Sequence, residues 1–173
     1  MDNSSADNGR RWAELCEKYK RLQERGGHDH FRLGRLAIHL RSALAKACGC
    51  DESYVFHYSY EHGPEPKYDQ YDRARYGWAS VSTGEAGWVF ALGIQLEISP
   101  DTHPKTVAVF PIEVTVTDDD FKLQSSLFSG VEQVRGKQPL YSGDLERVAE
   151  RMFEGLNEAL DDPAVVSSKI GFR

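Results

Sequence analysis

Two runs of alternating apolar residues constrain this chain more than any other feature. In the first, Trp88, Phe90, Leu92, Ile94, Leu96 and Ile98 recur at every second position; in the second, Ala108, Phe110, Ile112, Val114 and Val116 do the same. Successive side chains of a strand point to opposite faces, so each run presents one continuous apolar surface. The segment between them, Ser99-Pro100-Asp101-Thr102-His103-Pro104-Lys105, has turn composition. The two runs therefore predict a long β-hairpin, with Trp88 opposite Val116, Phe90 opposite Val114, Leu92 opposite Ile112 and Ile94 opposite Phe110. A slip by one residue would turn these side chains to the other face.

The flanking sequence supplies more strands. Residues 53–60 alternate as Tyr54, Phe56, Tyr58, Tyr60 against Val55, His57, Ser59. A polar connection of 61–73 follows, too long and too rich in proline for a regular ladder. Residues 75–83 and 121–128 read as further strands, and 131–135 as a short sixth. Short connections between strands imply antiparallel pairing, because parallel neighbours need a crossover of a dozen or more residues.

Helical periodicity brackets the strands. Trp12, Leu15, Tyr19 and Leu22 mark a helix over 9–25, which Gly26-Gly27 would end. A second helix starts at Asp29 and carries Leu33, Leu36, Ala37, Leu40 and Leu44 on one side until Gly49. A third, 144–160, has a wide apolar face and a ridge of Glu146, Glu150, Glu154 and Glu158. The fold class is thus α+β: two N-terminal helices, a five- or six-stranded mostly antiparallel sheet, one C-terminal helix, and the helices on one face. Residues 1–8 are predicted to be disordered, 9–162 to form one domain, and 163–173 a tail.

Charge is divided unevenly. The chain carries a net −6, yet residues 1–50 hold ten Lys/Arg against six Asp/Glu. Arg32, Arg35, His39 and Lys46 form a basic stripe on the second helix, with no acid between His30 and Cys50. Helices joined at Gly26-Gly27-His28 would suit a helix-turn-helix. The acidic balance of the whole chain, pI about 5.5, argues against a large phosphate-binding surface. The reading preferred is that the glutamate ridge meets the basic stripe, within one chain or across a dimer. The absence of a long apolar run, an apolar leader and an even cysteine count points to a cytoplasmic chain with free thiols and no membrane span.

Candidate chemistry is sparse. His28-Asp29-His30 lacks a spaced partner set for a metal, and Cys48-Gly49-Cys50 is not the C-x-x-C of redox or zinc sites. Glu113 with Asp118, Asp119 and Asp120 resembles a carboxylate cluster, but the aspartates have ordinary turn chemistry. No nucleophile elbow or phosphate loop is present, and no cofactor or metal is expected. The tyrosine-rich stretch is more suggestive, because Tyr and Arg anchor interfaces. It nominates His57, Tyr58, Tyr60, His62, Tyr68, Asp69, Tyr71, Asp72, Arg73 and Arg75 as binding residues.

The sequence therefore predicts a non-catalytic module that recognises a protein partner or small ligand through this tyrosine-rich loop and the sheet. The alternatives are a small enzyme with a His/Asp/Tyr pocket and a nucleic-acid binder using the basic helix. A homodimer is expected because Val89, Ala91, Val107 and Val109 make the second face of the hairpin too apolar for water.

Overall fold

The computed structural model describes residues 4–60, 71–74, 81–84, 87–97, 101, 106–136, 142–162 and 171–172. The N-terminal helices are one: α1 runs unbroken over Ser4–Cys48. At 1.5 Å per residue its 45 residues span about 67 Å. It begins inside the stretch 1–8, for which composition predicts no structure. Gly26 and Gly27 do not stop it, and neither has a positive φ. In helical φ, ψ glycine is a propensity cost and not a stop, and Leu22 and Leu33, eleven residues or three turns apart, stay in phase across the pair. This continuity also removes the helix-turn-helix reading.

Glycine ends α1 further on. Gly49 adopts φ +66 while its N–H donates to Lys46 O and the Cys50 N–H to Ala45 O. Those two bonds are the left-handed helix stop that satisfies the last carbonyls. Asp51 then caps a short 3-10 turn, η1 (Glu52–Tyr54), which leads into β1 (Val55–Tyr60).

The remaining strands are β2 (Tyr71–Ala74), β3 (Ser82–Gly84), β4 (Gly87–Leu96), β5 (Thr106–Val116), β6 (Asp120–Ser125), β7 (Phe128–Arg135) and β8 (Gly171–Phe172). Among the described residues they make one eight-stranded sheet in the order β2-β1-β4-β5-β6-β7, with β3 added to β4 and β8 to β5. Every pairing is antiparallel. Two strands thus lie where none was expected, β2 at the end of the polar connection and β8 in the tail, while the expected short strand at 131–135 starts earlier, at Phe128, as β7. A turn at 126–127 folds the predicted strand 121–128 back on itself.

The central hairpin forms with its register two residues from expectation: Trp88 faces Val114, Phe90 faces Ile112, Leu92 faces Phe110 and Ile94 faces Ala108. A shift of two preserves the face of every side chain, so the apolar surface is unchanged. Pro111 costs this inner strand little. It lies between the β6 and β8 pairings on the outer edge of β5, and its carbonyl accepts from Ser125 Oγ at 3.0 Å.

Both long helices cover one face. Leu33, Leu36, Leu40 and Leu44 of α1 meet Phe90, Leu92, Phe110, Ile112 and Phe121 of the sheet, all fully buried. The C-terminal helix α2 (Ser142–Asp161) adds Val148, Met152 and Ala159 to the same core. On the other face Tyr58, Ala91 and Val109 form a second, small cluster with Phe56 and Val107 packed against it. Gly93 makes room for it, since a Cβ there would stand 2.5 Å from the Tyr58 ring. Ala91 and Val109 are fully buried and Val89 is 6% exposed within a single chain. This face therefore gives no reason for a dimer.

Polar contacts hold α2 on the edge of the sheet. Asp144 receives Arg135 Nε at 2.9 Å and Arg147 Nη1 at 3.0 Å. Glu132, nearly buried, pairs with Arg147 and Arg151, and Arg151 also lies over the Phe128 ring at 5.3 Å. Removing one member of such a network leaves its partners desolvated and unpaired, which costs more than a surface pair gains.

Candidate functional site: a projecting helix and an apolar pocket

The described residues of α1 divide into two halves with opposite fates. From Leu33 onward the seam is buried on the sheet. Before that it is bare: Trp12 is 70% exposed, Leu15 59%, Tyr19 63% and Leu22 65%. Among the described residues, Arg25 Nη2 meets Asp118 at 2.8 Å and His30 meets Trp88 edge-on where the helix leaves the sheet. The segment from Trp12 to Leu22, exposed along its apolar stripe, is called the arm below. Its surface pairs, Lys18 with Glu14 and Arg21 with Glu17, support helicity by a few tenths of a kcal/mol each. They do nothing for the apolar stripe.

At 100° per residue Arg11, Lys18 and Arg25 follow one edge of that stripe. The other edge carries Cys16, which is exposed. Four large apolar side chains exposed along one helix face form a contiguous apolar patch of a kind that globular proteins seldom leave open to water. The sequence shows the stripe; what it cannot show is that the sheet ends before reaching it.

A second feature lies at the far end of α1. A cavity of about 360 Å³ opens where the Gly49 reversal, the end of β4 and the C-terminal half of α2 meet. Cys48, Cys50 and Tyr54 line one side, Ile94, Leu96 and Glu97 another. The third side is Phe153, Leu156, Asn157 and Leu160 of α2. Phe153 (38% exposed) and Leu160 (46%) form its apolar lip. Its size is at the low end of ligand pockets, about 300–1,000 Å³. Burial pushes the Cys48 thiol up to about 11, helped by the nearby Cys50 and Glu150. Burial raises the Cys50 thiol as well. Both are thus held as neutral thiols at pH 7 and contribute apolar lining.

The residues nominated from sequence fare differently. His57 is buried under α1, and its Nδ1 has no hydrogen-bond partner among the described residues. Desolvation, and then the nearby Arg41, lowers its pKa to about 4, so the ring is neutral at physiological pH. Arg41 itself donates to Val55 O and Glu52 O, both at 2.7 Å. Tyr58 is buried on the opposite face in the small second cluster. The backbones of Tyr60, Tyr71, Asp72 and Arg73 are brought together by the β1–β2 ladder, which pairs Tyr60 with Tyr71, Ser59 with Asp72 and Tyr58 with Arg73. His62, Tyr68, Asp69 and Arg75 lie outside the described residues.

The basic stripe is broken up. Arg32 is mostly buried, with its guanidinium 4.9 Å above the Phe121 ring and an ion pair to Asp29. Lys46 pairs with Glu146 at 2.8 Å, which joins the stripe to the glutamate ridge within one chain. Arg35 and His39 are exposed. Glu113 faces solvent, and the aspartate run serves its turn: Asp118 holds Arg25, and Asp120 exchanges bonds with Thr117 Oγ1. Among the described residues no group of three or more His, Cys, Asp or Glu converges as metal ligands. None of the helices there is long and apolar enough to cross a membrane.

Comparison of the chain with family models, with curated proteins and with solved structures finds no match. The functional reading accordingly stands on the geometry of the arm and the pocket.

Proposed function

We propose that the protein is a non-catalytic binding module that engages a protein partner through the projecting half of α1. The observation that carries this is the stripe Trp12, Leu15, Tyr19, Leu22, more than half exposed at every position on one face of a helix. Amphipathic helices recognise partners through apolar anchors at this spacing, and Trp and Tyr are the side chains that most often dominate such contacts. An unsupported helix of this length is marginal in water, so a partner that covers the stripe also orders the arm.

The test is site-specific photo-cross-linking in the cell that makes the protein. A benzophenone amino acid replaces Leu15 on the stripe or, as a control, Glu17 on the opposite side. The proposal expects discrete adducts from position 15 and few from position 17. Equal or absent adducts at both positions would refute it.

A further inference from the structure

We propose that the occupant of the pocket, and the partner of the arm, is a second copy of this chain, each copy laying its Trp12–Leu22 stripe across the Phe153/Leu160 lip of the other. This deepens the docking reading above and rests on it. Three observations favour it. First, the surfaces match in kind: a helical stripe of large apolar side chains meets an apolar cavity of about 360 Å³, large enough to accept a single aromatic anchor.

Second, the charges match in sign. Arg11 and Lys18 edge the stripe, whereas Glu97 lines the cavity. The split between a basic first 50 residues and a more acidic remainder becomes, on this reading, a device for orienting one copy on the other. Arm-on-arm pairing lacks this complementarity, since in an antiparallel pair the Arg11, Lys18 and Arg25 edges would face each other.

Third, the placement allows closure. Arm and pocket lie toward opposite ends of α1, an arrangement that a two-fold axis with the two α1 helices antiparallel would close by bringing each arm to the other copy's pocket. Four large side chains per arm, with the surface they cover, amount to on the order of 1,500 Å² over the two symmetric contacts, the standard size for a stable interface.

The native cysteines supply the test. Cys16 stands beside the stripe, and Cys48 and Cys50 line the pocket. Within one chain Cys16 and Cys48 are 32 helical residues apart, about 48 Å, whereas a disulfide needs Cα atoms within about 7 Å. Any Cys16–Cys48 or Cys16–Cys50 bond is therefore between copies. The full chain is oxidised with copper-phenanthroline and the bonds are mapped by peptide mass spectrometry. The proposal expects Cys16 bonded to Cys50 or Cys48. It also expects Trp12→Asp and Leu160→Lys, both at exposed positions, to abolish that product while far-ultraviolet circular dichroism is unchanged.

A product containing Cys16–Cys16 bonds alone would overturn the inference, as would photo-adducts at position 15 formed only with other proteins; in both cases the docking reading survives. Absence of any bond, with Cys16 alkylation equally fast at low and high protein concentration, would also overturn it. The inference expects that rate to fall about tenfold once nine-tenths of the chain is associated.

Discussion

Replacing Gly26 and Gly27 by alanine tests whether the arm is continuous with the body. Both positions sit at the junction between the buried and bare halves of α1, and a Cβ added at either meets nothing within 4 Å. Neither has positive φ. Alanine then adds no clash and no strain, and each exchange removes the entropic cost of glycine in a helix, about 0.8–1 kcal/mol. The pair should stabilise the junction by about 1.5–2 kcal/mol, a factor of roughly 10–30 in the equilibrium between the formed and frayed arm.

Hydrogen exchange read by mass spectrometry on arm peptides should show protection rising by that factor, with ellipticity at 222 nm unchanged or higher. If the glycines formed a turn, alanine would be forced into a backbone suited to glycine and the effect would reverse sign. Faster exchange in the arm, or lost ellipticity, would refute the single-helix account.

Further predictions concern the body. Gly155→Ala should destabilise by at least about 2–3 kcal/mol in urea unfolding, because its Cβ would run into the Leu127 carbonyl oxygen, a clash with backbone that cannot be relieved without moving α2 off the β6–β7 turn. Acid should weaken the fold in two windows. His57 stays neutral in the fold down to about pH 4 but takes up a proton near pH 6.5 when unfolded, so stability falls by about 2–3 kcal/mol between those values; His57→Leu should flatten that slope. Asp144, held at about 2 chiefly by its bond from Arg135, contributes about 1–2 kcal/mol above pH 4 that is lost as pH falls toward 2, and Asp144→Asn should remove it. At pH 7.5 and at a protein dilution that keeps the chain monomeric, iodoacetamide should modify exposed Cys16 first and Cys48 last, read as the order in which the three cysteine-containing peptides gain mass.

Burial pattern was the legible part of this sequence. Period-two runs defined β4 and β5, and their side chains lie on the expected faces. Register was not legible, since sliding one strand by two residues returns every side chain to its own face and leaves burial indifferent. Gly26-Gly27 misled because glycine stops a helix only where it takes a positive φ; with ordinary helical φ the pair is a propensity cost of about 2 kcal/mol and not a stop. The second face of the hairpin suggested a dimer because periodicity cannot say that Tyr58 and Phe56 lie over that face. His57 looked like a ligand-facing residue because alternation cannot tell a strand face that meets α1 from one that meets a ligand. The pocket left only a faint trace: a C-x-C at a helix end, and Phe153 and Leu160 at the rim of the apolar face of α2. Three-dimensional convergence of three elements has no signature in any one of them.

Sedimentation equilibrium on the wild-type chain beside the double variant Trp12→Asp/Tyr19→Asp tests the central claim most directly. The account predicts that the wild type associates to twice its 19.5 kDa while the variant, equally helical, sediments as a monomer. A wild type that remains at 19.5 kDa at every concentration, with its arm stripe still open to modification, would contradict it.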